Sequence, residues 1–146
     1  MPSERHEPDR VNAIVRLTRD LMDMDVALLT EIDDGKEVAR KAAGEWPGVG
    51  SLEGGAIPLD ETFCKRMLEG RIGNVVTDVP NDARVRDLGM AQALGVAAWI
   101  GVPIELADAR LYVLCCLAHE ARPSLDERDL RMLRGLAESV AVELKS

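Results

Sequence analysis

The chain switches repeatedly between two hydrophobic periods, and the switches mark its elements. After Pro8, the residues Val11, Ile14, Val15, Thr18, Leu21 and Met22 recur at helical spacing, with Arg10, Arg16, Arg19 and Asp20 on the other face. That spacing predicts an amphipathic helix. Asp25 to Ile32 is short and apolar and reads as a strand. Asp33-Asp34-Gly35 supplies turn residues, and Glu37 to Ala43 reads as the returning arm of a hairpin. Gly and Pro then crowd residues 44–58, which predicts a loop long enough to be functional or mobile.

Asp60 reads as an N-cap for a helix from Glu61 to Glu69, with Phe63, Met67 and Leu68 inward and Gly70 ending it. Asn74 to Val79 is a short strand stopped by Pro80. Asn81 or Asp82 is placed to cap a helix from Ala83 to Leu94, which Gly89 weakens and Gly95 stops. Val96 to Leu106 and Arg110 to His119 read as long strands joined by the turn at Ala107-Asp108-Ala109. Pro103 has no N–H to give a ladder, so it marks a bulge or an edge. The last strand is apolar on both faces, as a strand packed above and below must be. Ser124 or Asp126 caps a final helix, and Glu127 completes a capping-box pattern with Ser124. Strands joined by tight turns predict an antiparallel sheet, and helices on its faces predict an α+β fold, an α/β/α sandwich.

Length and charge narrow the function. The 146 residues suit one domain, taken as a tail over 1–9 and a single domain over 10–146. A net charge of −8 repels nucleic-acid phosphates and anionic membranes. Neither a spanning run nor a secretory leader is present in the pattern. The three cysteines are an odd number without disulfide spacing, which points to a reducing cytoplasm. Phe63, Trp46, Trp99 and Tyr112 are the only aromatics besides histidine, so aliphatic residues build the core.

One succession of segments carries a family likeness. It runs through Ile57-Pro58-Leu59-Asp60-Glu61-Thr62-Phe63-Cys64, Val75-Val76-Thr77-Asp78-Val79 and Leu94-Gly95-Val96. It continues through Trp99-Ile100-Gly101-Val102-Pro103-Ile104, Arg110-Leu111-Tyr112-Val113-Leu114-Cys115 and Asp126 to Ala137. In this order the segments resemble bacterial GAF domains, of the kind attached to cyclic-di-GMP enzymes and sensor kinases. The resemblance implies a central antiparallel sheet of five to six strands, with the N- and C-terminal helices on one face. It also implies a ligand cavity on the other face, roofed by the loop and helices between the second and fourth strands. A non-catalytic signal-input role follows from the same resemblance, with a fused output enzyme as one arrangement. Where relatives often carry Asp-Gly-Arg in the final hairpin, this chain has Asp108-Ala109-Arg110, and Ala tolerates positive φ poorly. The residue set of cyclic-nucleotide-binding relatives is absent. Asp126-Glu127 is better explained as capping, and no cofactor is named by the sequence.

Candidate ligand-binding residues are Cys64, Asp78, Asn81, Asp82, Arg86 and Trp99. Cys64 near a helix start is either an activated thiol, which would make a redox sensor, or a small core residue. Asp78, Asn81 and Asp82 with Arg86 either frame the site or form turn and cap, and Trp99 either lines the cavity floor or fills the core. Cys115 and Cys116 point to opposite faces and cannot share one metal, so no metal site is expected. A lone His119 is a weak haem candidate. No Cys precedes a His as in bilin-attaching relatives. The sulfoxide-reductase members of the family need further cysteines that residues 78–96 lack. In the last helix, Leu130, Leu133, Ala137, Val140 and Leu144 trace an a/d seam. With Val11, Ile14 and Leu21 of the first helix, Leu133, Val140 and Leu144 are expected at a homodimer interface; the alternative is that they pack on the domain's own sheet. The leading reading is a domain that binds an unidentified small molecule and signals through its terminal helices. The competing readings are a structural dimerisation module with a self-filled cavity and the thiol sensor.

Overall fold

Two antiparallel hairpins form the frame of the sheet. The computed structural model describes residues 6–145, with side chains from Arg10 to Lys145. Strands β1 (Val26–Asp33) and β2 (Lys36–Ala43) form the first hairpin, and β5 (Ala98–Glu105) and β6 (Leu111–Ala118) the second. β1 pairs antiparallel with β6, placing Leu28 opposite Cys115 and Thr30 opposite Val113. Two short strands finish the edges: β3 (Ala56–Pro58) pairs with β2, and β4 (Val75–Val76) with β5. The result is a six-stranded antiparallel sheet in the order β3-β2-β1-β6-β5-β4, with helices on its faces, an α+β fold.

The two-residue period of the strands divides the core in two. Ala27, Leu29, Ile100, Leu114 and Cys116 face one way, against α1 (His6–Met22) and α4 (Glu127–Lys145). Val26, Leu28, Trp99, Val113, Cys115 and Leu117 face the other way. That second side is covered by the 44–58 segment, by α2 (Phe63–Leu68) and by α3 (Gly89–Leu94). β6 is buried along nearly its whole length because both layers press on it. Pro103 sits where β5 runs on past the short β4, so its missing N–H faces an edge.

Several boundaries differ from the sequence reading. The first helix begins at His6, so residues 6–9 of the expected tail are helical, while 1–5 lie outside the described residues. Asp60 and Glu61 fall in a 3-10 turn, and Thr62 caps α2 by accepting from the Lys65 N–H while donating to the Leu59 carbonyl. The helix expected over 83–94 is confined to Gly89–Leu94, so Gly89 opens the helix rather than interrupting it. Asp82 turns its carboxylate onto Arg84 instead of capping a long helix, and residues 83–87 follow as turns. Asp126, not Ser124, caps α4: its carboxylate accepts from the Arg128 and Asp129 N–H groups, while Asp129 accepts from the Asp126 N–H. Ala109 does adopt the left-handed region, at φ 71°, so the last hairpin keeps the turn that a glycine would favour.

Candidate functional site

Strand β2 supplies the unusual residue of the second face. Its alternation puts Glu37 and Ala39 on the same side, and both are buried. Together with Leu28 and Thr30 of β1 they form the floor of a cavity of about 250 Å3. The roof comes from Leu52, Gly55, Ala56 and Ile57 of the loop and β3, and from Gly89, Met90, Ala93 and Leu94 of α3. Glu61 lies at the rim, and a Cβ on Gly89 would have to push its carboxylate aside. Trp46 fastens the loop: its indole N–H donates to the Leu94 carbonyl at 2.7 Å, and its ring meets His119 edge-on at 6.0 Å.

The cavity is apolar except at three points, Thr30, Glu37 and Glu61. Glu37 is only 4% exposed. Its Oε2 accepts the Cys64 thiol at 3.3 Å, and its Oε1 is buried with no hydrogen-bond partner. Burial pushes the Glu37 carboxyl above its ordinary range, and Cys64, Thr62 and Thr30 offset this only in part. Among the described residues no cation is paired with it. An orphaned buried acceptor costs about 1–3 kcal/mol, so Glu37 occupies this position at some expense to stability.

Cys64 packs behind Glu37 rather than in the cavity lining, and it is fully buried. Its thiol is pushed well above the usual range, first by its contact with Cys115, then by burial and by the Glu37 charge. Of the two readings open from the sequence, the activated thiol required the reverse shift from a helix N-terminus, and the small core residue is the one this burial fits. α2 is too short and the surroundings too dry for that effect to prevail, and a thiol held protonated is a poor nucleophile. Cys115 and Cys116 do face opposite layers of the core. Cys115 nevertheless meets Glu37 and Cys64, with all three donor atoms within 4.8 Å of one another. Sequence reasoning expected no metal-ligating set because these residues lie on separate elements far apart in the chain.

The profile of the GAF domain family matches residues 4–145. The chain belongs to the GAF domain family. No curated protein matches it. Among solved structures, the chain is similar to the GAF domain of PixJ from Thermosynechococcus elongatus in its blue-light-absorbing form. The TM-score is 0.74 and the identity 16%, over 97% of this chain and 86% of that one. A phycocyanobilin-bound GAF domain from a cyanobacterial phytochrome gives a TM-score of 0.73 at 19% identity, covering 94% and 84%. The second GAF domain of DevS from Mycobacterium smegmatis gives 0.68 at 18% identity, covering 95% and 93%. At these identities the likeness is one of fold.

Within this GAF domain the sequence-predicted site residues are scattered. Trp99 stacks on Phe63 with ring centroids 5.7 Å apart and is 1% exposed, a core position away from the cavity lining. Asn81 donates to Asp78 at 2.9 Å, and Asp82 pairs with Arg84 at 2.6 Å. Arg86 is exposed, and its carbonyl accepts from Gln92. None of these four polar side chains lines the cavity. His119 lies at the end of β6, 2.5 Å from Asp25, and joins the starts and ends of neighbouring strands.

The terminal helices of the GAF domain place the heptad seam inward. Val11, Leu133 and Val140 are 2%, 0% and 0% exposed and belong to the domain's own core. Ile14 and Leu144 are partly buried against the same core, while Leu21 is half exposed. Most of that seam packs within one protomer, and Leu21 is the member left half exposed. The residues that sequence reasoning missed are the floor and roof of the cavity, above all Glu37. Its signal was a carboxylate two residues from Ala39 on a strand, but alternation alone does not say which face of a strand is the buried one.

Proposed function

We propose that this GAF domain is a signal-input module that binds a small, mainly apolar molecule bearing a hydrogen-bond donor. The observation that carries the reading is the apolar cavity whose floor holds a buried carboxyl with one oxygen unpartnered. A donor on the ligand would satisfy Oε1 of Glu37, and Leu28, Ile57 and Met90 would cover its apolar body. At about 250 Å3 the cavity falls below the usual range for drug-sized ligands, which favours a compact metabolite. The phycocyanobilin carried by one structural neighbour is a poor guide, since no cysteine lines this cavity.

Transmission in this reading passes through the sheet. On β1, Leu28 and Thr30 touch the cavity, while Ala27 and Leu29 touch the terminal-helix layer. A ligand that orders the roof and shifts β1 would change how α1 and α4 sit, provided its affinity differs between the two arrangements. The output is a fused domain or a second protomer in a cytoplasmic assembly. Exposed Leu17, Leu21 and Met132 are the apolar residues that terminal-helix dimerisation would cover.

The test is a thermal-shift screen of metabolites against the chelator-treated protein. A true ligand raises the melting temperature in a saturable way, and Ala39→Leu, which fills the floor, abolishes that rise without unfolding the protein. Equal responses of the wild type and the filled variant would overturn the reading. A parallel sedimentation measurement reports whether the ligand alters association.

A further inference from the structure

We propose that Glu37, Cys64 and Cys115 form a buried binding site for one thiophilic divalent cation of the zinc class. The inference goes beyond the proposed signal-input role, since the ion would bind whether or not an organic molecule fills the cavity.

Three elements converge on the site. β2 and β6 lie on either side of β1, and α2 crosses above them. From these the long Glu37 side chain and the two thiols bring their donor atoms within 4.8 Å of one another, all buried. The Cys64 sulfur and the Glu37 oxygen are already 3.3 Å apart. A tetrahedral zinc ion bound to one sulfur and one carboxylate oxygen holds them roughly 3.6 Å apart. Closure around an ion therefore asks for side-chain adjustment of a few tenths of an ångström at that pair.

The donor set decides the class of ion. Two sulfurs and one oxygen suit zinc and its softer analogues; magnesium and calcium prefer oxygen alone. Binding is an acid–base exchange without oxidation: each thiol releases its proton to the solvent, each sulfur forms a bond to the cation, and the carboxylate supplies the third. Two protons leave as one dication enters, so the net charge of the site stays at minus one. The dication now sits beside the buried carboxylate, which no neighbouring cation relieves among the described residues. The unpartnered Oε1 of Glu37 is an independent sign of a missing ligand, and Glu37 lines the cavity, which supplies a way in. Three protein donors leave a position for that second oxygen or for a molecule in the cavity.

The experiment uses the full chain, reduced and stripped with chelator, titrated anaerobically with Co2+ and then with Zn2+. Expected are about one ion per chain and a thiolate-to-cobalt charge-transfer absorption that zinc abolishes. Cys64→Ser and Cys115→Ser should each weaken binding by at least about tenfold, and Glu37→Gln by a comparable factor. Cys116→Ser, on the opposite face, should bind as the wild type does. X-ray absorption of the wild-type zinc form needs no variant, so it stands even where a cysteine change disturbs folding. Two sulfur scatterers with lighter donors support the site. A shell of oxygen and nitrogen only, uptake below about a tenth of an equivalent, or unchanged uptake by the Cys64→Ser, Cys115→Ser double variant overturns it. Small-molecule binding by the stripped protein is a separate readout, so either idea can fail alone.

Discussion

On one side of the sheet, α1 and α4 lay Val11, Val15, Leu130, Leu133, Ala137 and Val140 against Leu29, Ile100 and Leu114. On the other side the cover is a glycine-bearing loop, two six-residue helices and 3-10 turns, over a floor that includes a buried carboxylate. The long helices lay a continuous apolar stripe along their face and leave clefts only at its margins, one of them between α4 and β5 at Ala137 and Val102. Between the short elements and β1–β2 an apolar cavity of about 250 Å3 remains. Both faces carry a buried apolar core, and the second also holds Glu37 and Cys64, titratable groups sunk into it. The candidate chemistry thus lies on one side of one layer of strands.

The largest expected effect comes from breaking the closed face. Leu133→Ala removes a side chain that is 0% exposed and leaves a hole between α4 and the sheet. The cost should be about 3–4 kcal/mol in urea denaturation. Leu52→Ala, at the partly buried roof of the cavity, should cost less than about 1 kcal/mol because its surroundings are already open. Equal losses at the two positions would mean that the cavity face is packed as tightly as the helix face.

Overpacking sharpens the contrast from the other direction. Ala98→Leu adds bulk at a position that is 0% exposed in the helix-side core, and should cost about 2 kcal/mol. Ala39→Leu points its added carbons into the cavity, and should change stability by less than about 1 kcal/mol in either direction. Melting curves of the two variants side by side check the difference. A larger loss for Ala39→Leu would mean that the floor has no room.

Glu37 gives a smaller effect with a definite sign. Its carboxyl is raised above the ordinary 4.5, mainly by burial. The folded state therefore holds the proton more tightly than the unfolded chain does. The stability this contributes is full below pH 4.5 and is lost as pH rises through the folded value. Glu37→Gln removes the ionisation, so the variant in chelator should show a flatter pH dependence and gain about 1 kcal/mol at neutral pH. Urea midpoints at acid and neutral pH measure both. A wild-type stability that rises with pH over that interval more steeply than the variant's would contradict the sign.

The closed face was the legible one. Helical spacing in Val11, Val15 and Thr18, and in Leu130, Leu133 and Ala137, marks α1 and α4 because one long stripe packs on one surface. Two-residue alternation likewise identified the long strands, and tight turns their antiparallel pairing. The seam of α4 was also read as a surface for a second copy, because an a/d pattern looks the same whether the partner is a helix or a sheet. The cavity face was hard to read. Its short elements have no full period, so the segment after Asp82 suggested one long helix where the chain makes turns and then α3. Convergence of Glu37, Cys64 and Cys115 depends on strand order, and strand order is a property of the whole sheet rather than of any local window. The fold was therefore accessible from pattern, while the composition of the site required knowing which elements become neighbours.

The smallest effect concerns the hairpin that joins β5 to β6, where both faces meet. Ala109 closes the turn by donating its N–H to the Leu106 carbonyl at 3.0 Å, and it does so at φ 71°. An L-residue with a Cβ pays about 1 kcal/mol for that region, whereas glycine enters it freely. Glycine also widens the unfolded ensemble, which takes back part of the gain. Ala109→Gly should therefore stabilise the domain by roughly 0.5 kcal/mol, visible as a small rise in melting temperature. The turn lies beyond the cavity lining, so ligand and metal affinities should not move with it. A gain in stability with unchanged binding would confirm that the hairpin belongs to the scaffold. A change in binding would instead show that the β5–β6 register reaches Cys115, which stands opposite Gly101 in the same ladder.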